Sequence, residues 1–505
     1  MGDILQFGRP EEVGVRPEWV EEYVQEMNRR RKMCHSVLMM RHGKVFAEGY
    51  WKPFGPRQLH RMYSVSKSFV SAAVGLLADQ GRISLDDRIV TYFPDLLPEQ
   101  VNPYLERTTI RDMLRMATPY PNGATYRGSD QNWIETFFQA PHGQADHPAG
   151  TRFLYDTSCS YTLNVLVERL TGMPFLEYLK DNMLRELGFS EEAWCVQAPE
   201  GYSWGGSGVE CTTRDLARFA LVFLNGGALG GKRYLSREYV RQATSKQIDN
   251  LGPEGADKMH GNGYGYQIWM TCGGSFSFCG MGGQLAICVP QKDFLLVCTS
   301  DMQGDPDEYT CVFDVLWDTV LNRLDSETAP LDDRALCRMN QTLSSLSCSL
   351  PEGSPHSPLQ RELDGACYRL EENPMGIRSV SFRFGEEEGE VRYHTCRGEK
   401  VFPFGMGRYL HSPFPETHYS GRTINRPKGA GYRSMTAAVW QHPQQLLVRT
   451  YVIDDYFGNM AAVFAFQGKE LTLSMTKTAE WFLEEYCGQA KGWAEPEPSG
   501  ETGVK

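Results

Sequence analysis

Ser64-Val65-Ser66-Lys67 places a hydroxyl and an amine three residues apart, at the head of the run Ser68-Phe69-Val70-Ser71-Ala72-Ala73-Val74-Gly75-Leu76-Leu77. Residues three apart share one face of a helix, and the Ala, Leu and Val of this run favour a buried helix that Gly81 stops. The spacing therefore brings the Lys67 amine within reach of the Ser64 hydroxyl. A buried lysine beside a positive helix end is expected to lose part of its proton affinity, because desolvation and nearby positive charge both disfavour the ammonium. A neutral amine is what activates a serine nucleophile.

Two other serines compete for the role. Ser474-Met475-Thr476-Lys477 repeats the spacing, but in the alternating run Glu470-Leu471-Thr472-Leu473-Ser474-Met475-Thr476, which predicts a strand. On a strand residues three apart point to opposite faces, so Ser474 and Lys477 cannot cooperate. Gly201-Tyr202-Ser203-Trp204-Gly205 matches the Gly-x-Ser-x-Gly elbow, which needs a buried strand before it and a helix after it. Here Cys195-Val196-Gln197-Ala198-Pro199-Glu200 precedes and Gly205-Gly206-Ser207-Gly208 follows. That context predicts a glycine-rich surface loop.

The elements that must position Ser64 are spread along the chain. Pro17 to Arg31 has helical spacing, and Ser36 to Tyr50 reads as two strands joined at His42-Gly43. Residues 84 to 230 look mainly helical. Strands return at 265–270, 284–289 and 294–299, followed by a helix over about 308–324. Strands at both ends of a helical middle predict an antiparallel sheet flanked by helices, with a helical lobe, hence an α+β fold. Pro351 to Pro358 marks a linker. Beyond it, short alternating strands at 380–384, 390–393, 436–440 and 446–452 predict a C-terminal all-β barrel or sandwich. The expected division is 1–330 for the hydrolytic domain, 331–360 for a helix and linker, 361–480 for the β-rich domain and 481–505 for a tail. His394, His411 and His418 are too widely spaced for a metal site, and no metal or cofactor is called for.

Size and charge narrow the partners. At 505 residues two domains are the default, and a net charge of -12 disfavours nucleic acid and anionic membranes. Neither a secretory signal nor a membrane-spanning run is visible. The 14 scattered cysteines suit free thiols in a reducing compartment, so a cytoplasmic location is expected; the oligomeric state is left open.

With its Ser-x-x-Lys helix between a strand hairpin and a helical lobe, the chain resembles the serine β-lactamase and penicillin-binding-protein superfamily. It is most similar to the branch around class C β-lactamases, with its esterases and 6-aminohexanoate-dimer hydrolases. Arg61 to Phe69 looks like the first motif of that family, and Pro148 to Thr157 is similar to its Gly-x-x-Phe-x-Tyr-x-Asn segment. Asn262 to Trp269 and Gly280 to Gln284 resemble the closing strands of the dimer-hydrolase branch. The resemblance makes Tyr155 the phenol that shares the proton with Lys67, whereas Tyr161, inside a helix, is expected to serve packing. It gives the backbone N–H groups of Ser64 and Met281 to an oxyanion hole. It places Asp156, Thr157, Tyr264, Phe278, Gly280 and Gly282 along the substrate face.

Two departures bear on substrate. Thr157 stands where the family has Asn, which weakens a polar contact to a substrate amide. Phe278-Cys279-Gly280 aligns with Lys-Thr-Gly or His-x-Gly, so the cation that grips a β-lactam carboxylate is missing. The expected function is a serine hydrolase cleaving a small-molecule ester or amide through an acyl-enzyme. Acyl transfer, β-lactamase or DD-peptidase activity, and a non-catalytic binding role are the alternatives.

Overall fold

The computed structural model describes residues 4–121, 132–139, 145–419, 429–454, 457–479 and 483–495. The chain divides into two units, Met1–Cys348 and Ser349–Lys505.

The first unit is built on a seven-stranded sheet of β1 (Gln6–Phe7), β2 (Cys34–Arg41), β3 (Lys44–Tyr50), β4 (Trp269–Thr271), β5 (Ser275–Gly280), β6 (Gln284–Val289) and β7 (Phe294–Ser300). Their order is β1-β3-β2-β7-β6-β5-β4, antiparallel except for β1 beside β3. The β2–β3 hairpin turns at His42 and Gly43, with φ of 51° and 73°. Two left-handed residues match the right-handed twist of the flanking strands. Every residue of β2, β5, β6 and β7 is buried, so both faces of the sheet are covered. Helix α1 (Pro17–Arg29) buries Val20, Tyr23, Val24 and Met27, with Pro17 at its first position, where no amide donor is missed.

Helix α2 (Ser66–Asp79) carries Lys67 and is buried along the whole of Ser66 to Leu77. Its small residues permit close approach: a Cβ on Gly75 would lie 2.5 Å from the Tyr239 ring. Helix α3 (Thr157–Thr171) packs against it, and α4 (Thr213–Leu224) lies against β2, β6 and β7. Helices α5 (Thr310–Thr319) and α6 (Asp333–Ser345) both lie against α1.

The middle segment is less helical than its composition predicts. Trp194–Cys195 and Val209–Cys211 of this segment join His60–Arg61, from before it, in a small three-stranded sheet. The strand expected over 265–270 begins only at Trp269, because Gln267 adopts φ 59° and breaks the extended run.

The second unit holds β8 (Cys367–Leu370), β9 (Ser379–Phe384), β10 (Glu388–Thr395), β11 (Gly398–Met406), β12 (Leu410–Pro413), β13 (Arg433–His442), β14 (Gln445–Val452), β15 (Gly458–Gln467), β16 (Glu470–Thr478) and β17 (Gly488–Ala494). Neighbours run β11-β10-β9-β8-β17-β16-β15-β14-β13-β12, and a β11–β13 pairing closes nine of them into a barrel. The barrel reaches further than expected, since β17 lies within the stretch read as a tail. Two glycines and no β-branched residue hide this strand. Gly492 is required there, because a Cβ would lie 2.4 Å from Leu370 Cδ2 and 2.6 Å from the Arg369 carbonyl. Residues 496–505 lie outside the described residues. The division also falls at Cys348 and not at 330, since α6 belongs to the first unit.

In the barrel His418 stands between Glu416 and Glu485, at 3.2 and 2.8 Å, with donor atoms of all three within 4.8 Å of one another. Lys400 lies 3.2 Å from Glu416 and Arg397 2.8 Å from Glu485. The two carboxylates are thus already balanced by cations, which makes this a structural ion-pair network. Among the described residues no helix is long and apolar enough to cross a membrane.

Candidate active site

Ser64 sits in a single 3-10 turn, Tyr63–Val65, that runs directly into α2. Tyr63 enters the turn at φ 46°, a left-handed backbone that costs a bulky residue about 1–3 kcal/mol. Surrounding contacts hold it there. The Arg61 guanidinium stacks 4.5 Å from the Tyr63 ring and 4.6 Å from Trp204, and Met62 N–H donates to Val209 at 2.8 Å. Ser64 is consequently presented half-exposed from a buried frame.

One helical turn on, Lys67 is 1% exposed and its Nζ donates to Ser64 Oγ at 2.9 Å and to the Gly206 carbonyl at 2.7 Å. A buried amine needs such partners, since desolvation without them costs several kcal/mol. Tyr155 completes the group. Its phenol shares a hydrogen bond with the Ser64 side chain, and its ring centroid lies 5.0 Å from Lys67 Nζ. Burial pushes the Tyr155 phenol up, well above the usual range, against the opposing Ser64 hydrogen bond. It stays protonated at neutral pH.

The Gly206 carbonyl corrects the reading of 201–208 as a surface loop. Ser203 through Gly208 is buried. Asn164 Nδ2 donates to the Ser203 carbonyl at 2.7 Å, and the Ser203 N–H donates to Glu168 at 3.3 Å. The glycines allow close approach to other elements: a Cβ on Gly205 would lie 2.6 Å from Val70, and one on Gly206 2.5 Å from Thr157. These glycines press the loop against α2 and α3, which aims the carbonyl of Gly206 at Lys67.

Met281 follows β5 in the tight turn to β6. Among the described residues the amide N–H groups of Ser64 and Met281 donate to no protein acceptor. Gly280 sets their approach, because a Cβ there would lie 2.2 Å from the Met62 carbonyl. Gly280→Ala is expected to push β5 away from the Ser64 turn and lower kcat by roughly tenfold or more, the scale for a displaced oxyanion donor. Steady-state kinetics beside a thermal melt checks this; unchanged kcat in a folded variant refutes it.

Other residues of the expected substrate face play different parts. Phe278 is fully buried and packs against Phe219 and Phe223 of α4, with centroids 5.5 and 5.3 Å away. Strand alternation turns it into the core. Cys279, the next residue, is the one felt by the Tyr155 phenol. Asp156 accepts from Ser158 N and Oγ at 2.9 and 2.7 Å and so caps α3. Thr157 lies beneath Gly206, Tyr264 is 1% exposed behind the wall, and the Gly282 N–H is taken by Glu308. The wall itself is aromatic. Tyr155 stacks on Trp269 at 5.3 Å, and Tyr264 meets Trp269 edge-on at 5.0 Å and Phe153 at 5.2 Å. Tyr161 donates to Glu200 at 2.7 Å, away from the Ser64 hydrogen bonds.

Gln267 was not foreseen. Its backbone and side chain join four segments: Ser68 Oγ donates to its carbonyl at 2.9 Å, Ser160 Oγ to its Oε1 at 2.5 Å, and its Nε2 donates to Met113 and Leu114 at 3.0 and 2.9 Å. It fixes α2 against α3 just behind Lys67. Tyr309 and Glu308 were not foreseen either, as they arrive from a distant segment with no local motif. Tyr309 is raised well above the usual range by burial, and by Glu308, Cys279 and Tyr155 around it.

The family model described as beta-lactamase matches residues 20–311. A 6-aminohexanoate-dimer hydrolase of Paenarthrobacter ureafaciens is 28% identical over 296 residues, covering 54% of this chain and 73% of that protein. A structure from Bacteroides dorei DSM 17855, assigned as a β-lactamase, is similar in fold at TM-score 0.50 and 15% identity, covering 60% of this chain and 97% of its own. The octameric penicillin-binding protein homologue from Pyrococcus abyssi matches at TM-score 0.48 and 16% identity over 94% of this chain and 99% of its own.

Proposed function

This chain belongs to the β-lactamase family, and on that premise we propose that it is a serine hydrolase cleaving an ester or amide through an acyl-enzyme on Ser64. The observation that carries this is one hydroxyl bonded both to a buried amine and to a half-buried phenol. Lys67 takes the Ser64 proton as Oγ attacks the carbonyl carbon. The N–H groups of Ser64 and Met281 receive the charge that develops on the carbonyl oxygen. Tyr155, kept protonated by burial, gives its proton to the leaving alcohol or amine as the acyl–oxygen or acyl–nitrogen bond breaks. Water then attacks the acyl-enzyme, and its proton returns through the same pair. The relative from Paenarthrobacter ureafaciens, named as a 6-aminohexanoate-dimer hydrolase, supports the hydrolase reading.

The substrate face supports a choice against β-lactams. Ser275-Phe276-Ser277-Phe278-Cys279-Gly280 carries no cation to pair with a lactam carboxylate, and losing a charge-assisted contact costs about 1.5–3 kcal/mol, or ten- to a hundredfold. Intact-mass analysis with p-nitrophenyl butyrate is expected to show one acyl adduct, mapping to the Ser64 peptide. The kcat/KM for that ester is expected to exceed that for nitrocefin by at least about tenfold. A clear preference for nitrocefin refutes the choice, and acylation at another residue refutes the mechanism.

A further inference from the structure

The turn that carries the Met281 amide also fixes a carboxylate beside it. Gly282, one residue on, donates its N–H to Glu308 Oε1. Glu308 and Tyr309 immediately precede α5, and Tyr309 is surrounded by Glu308, Cys279 and Tyr155. Tyr155 in turn bonds the Ser64 side chain. The Glu308 carboxylate is thus fixed at the turn that carries Met281, next to Tyr309, whose phenol feels the Tyr155 phenol of the aromatic wall that Tyr155 and Trp269 form.

Its charge is unusual for its setting. Asp305 and Asp307, its neighbours, are held by Lys32 Nζ at 3.1 and 2.5 Å. Glu308 is half-buried, and among the described residues no lysine, arginine or histidine pairs with it. Burial, with the charges of Asp301 and Asp305, pushes its carboxyl up against the opposing hydrogen bonds from Gly282 and Tyr309. A half-buried carboxylate without a counter-cation is relieved by binding one. Nearby aromatic faces attract the same charge. A substrate carboxylate brought to this point would instead meet like charge in a poorly hydrated place.

Resting on the reading of Ser64 as nucleophile, we propose that Glu308 selects substrates bearing an ammonium group, whose N–H donates to its carboxylate. Glu308 is a specificity-determining residue of this site. The reaction at Ser64 is unchanged by it; what it sets is which end groups can lie against the oxyanion turn.

The test is the rate at which a fluorophosphonate labels Ser64 in the full chain, with hexylammonium or hexanoate as competitor. For the wild type, hexylammonium is expected to halve the rate at a concentration roughly tenfold or more below that of hexanoate, the scale of a charge-assisted hydrogen bond. Glu308→Gln is expected to bring the two competitors to within about threefold of each other, and Glu308→Lys to invert their order. Hexanoate protecting the wild type as well as hexylammonium overturns the proposal, as does one ratio shared by all three proteins. In both cases labelled Ser64 leaves the hydrolase reading standing. A wild type that is not labelled at Ser64 overturns both.

Discussion

Ser64→Ala is expected to remove fluorophosphonate labelling and to lower ester turnover on the order of 10⁴-fold or more, the scale of losing a nucleophile that acts as a unit with its base. The size follows from the arrangement around Oγ. It is the one atom that both Lys67 Nζ, at 2.9 Å, and the Tyr155 phenol address. Methyl in its place leaves the amine and the phenol with nothing to activate. Neither rival serine can substitute. Ser474 lies in β16, where Lys477 Nζ is drawn 2.8 Å to Glu484. Ser203 belongs to the loop whose backbone is tied to Asn164 and Glu168. Ser203→Ala and Ser474→Ala are therefore expected to remain labelled. Labelling that survives Ser64→Ala and vanishes with Ser203→Ala would transfer the nucleophile to the glycine loop.

What could be read from the chain depended on how local each signal was. The Ser64–Lys67 pair and α2 lie in one segment of helical composition, so spacing alone brought the two groups together. The β2–β3 hairpin was legible for the same reason, since His42-Gly43 is a local turn signal. Tyr155 needed the wording of 148–157, because nothing in its own spacing ties it to residue 64. Gly201 to Gly208 misled because glycines written for close approach to α2 and α3 use the same letters as an exposed turn. Phe278 was placed at the substrate face by alignment, but an alternating strand sends adjacent side chains to opposite sides, and Cys279 is the one beside Tyr155. Glu308 and Gln267 act through folded proximity to segments 26 to 199 residues away. Their sequence neighbourhoods carry no trace of those partners. In the barrel, β17 was hidden because Gly492 fills a position where the Arg369 backbone and Leu370 leave no room for the larger residues that announce a strand.

Lys67→Ala and Tyr155→Phe are each expected to lower kcat by roughly a hundredfold or more on an amide, the usual scale for a positioned acid or base. Their effects are expected to part on an activated ester. Lys67 is needed whatever the leaving group, because Oγ must lose its proton to attack. Tyr155 is needed in proportion to how badly the leaving group wants a proton. Burial holds its phenol well above the usual range, so across the neutral range it is present as the acid and not as phenolate. An amine cannot depart as its anion, whereas p-nitrophenolate departs without a proton. Tyr155→Phe is therefore expected to lose markedly less on p-nitrophenyl butyrate than on the corresponding anilide, and Lys67→Ala to lose comparably on both. The sign of the pH dependence follows. A group whose proton affinity is raised keeps its acid form as pH rises through neutrality, so removing Tyr155 should leave any basic limb of kcat/KM that falls near neutral pH in place. Single-turnover acylation of the two variants with the ester and the anilide, followed from pH 6 to 9, reads all three expectations. Equal losses on both substrates in Tyr155→Phe would show that the phenol serves the attack itself, and would make Tyr155 the base in place of Lys67.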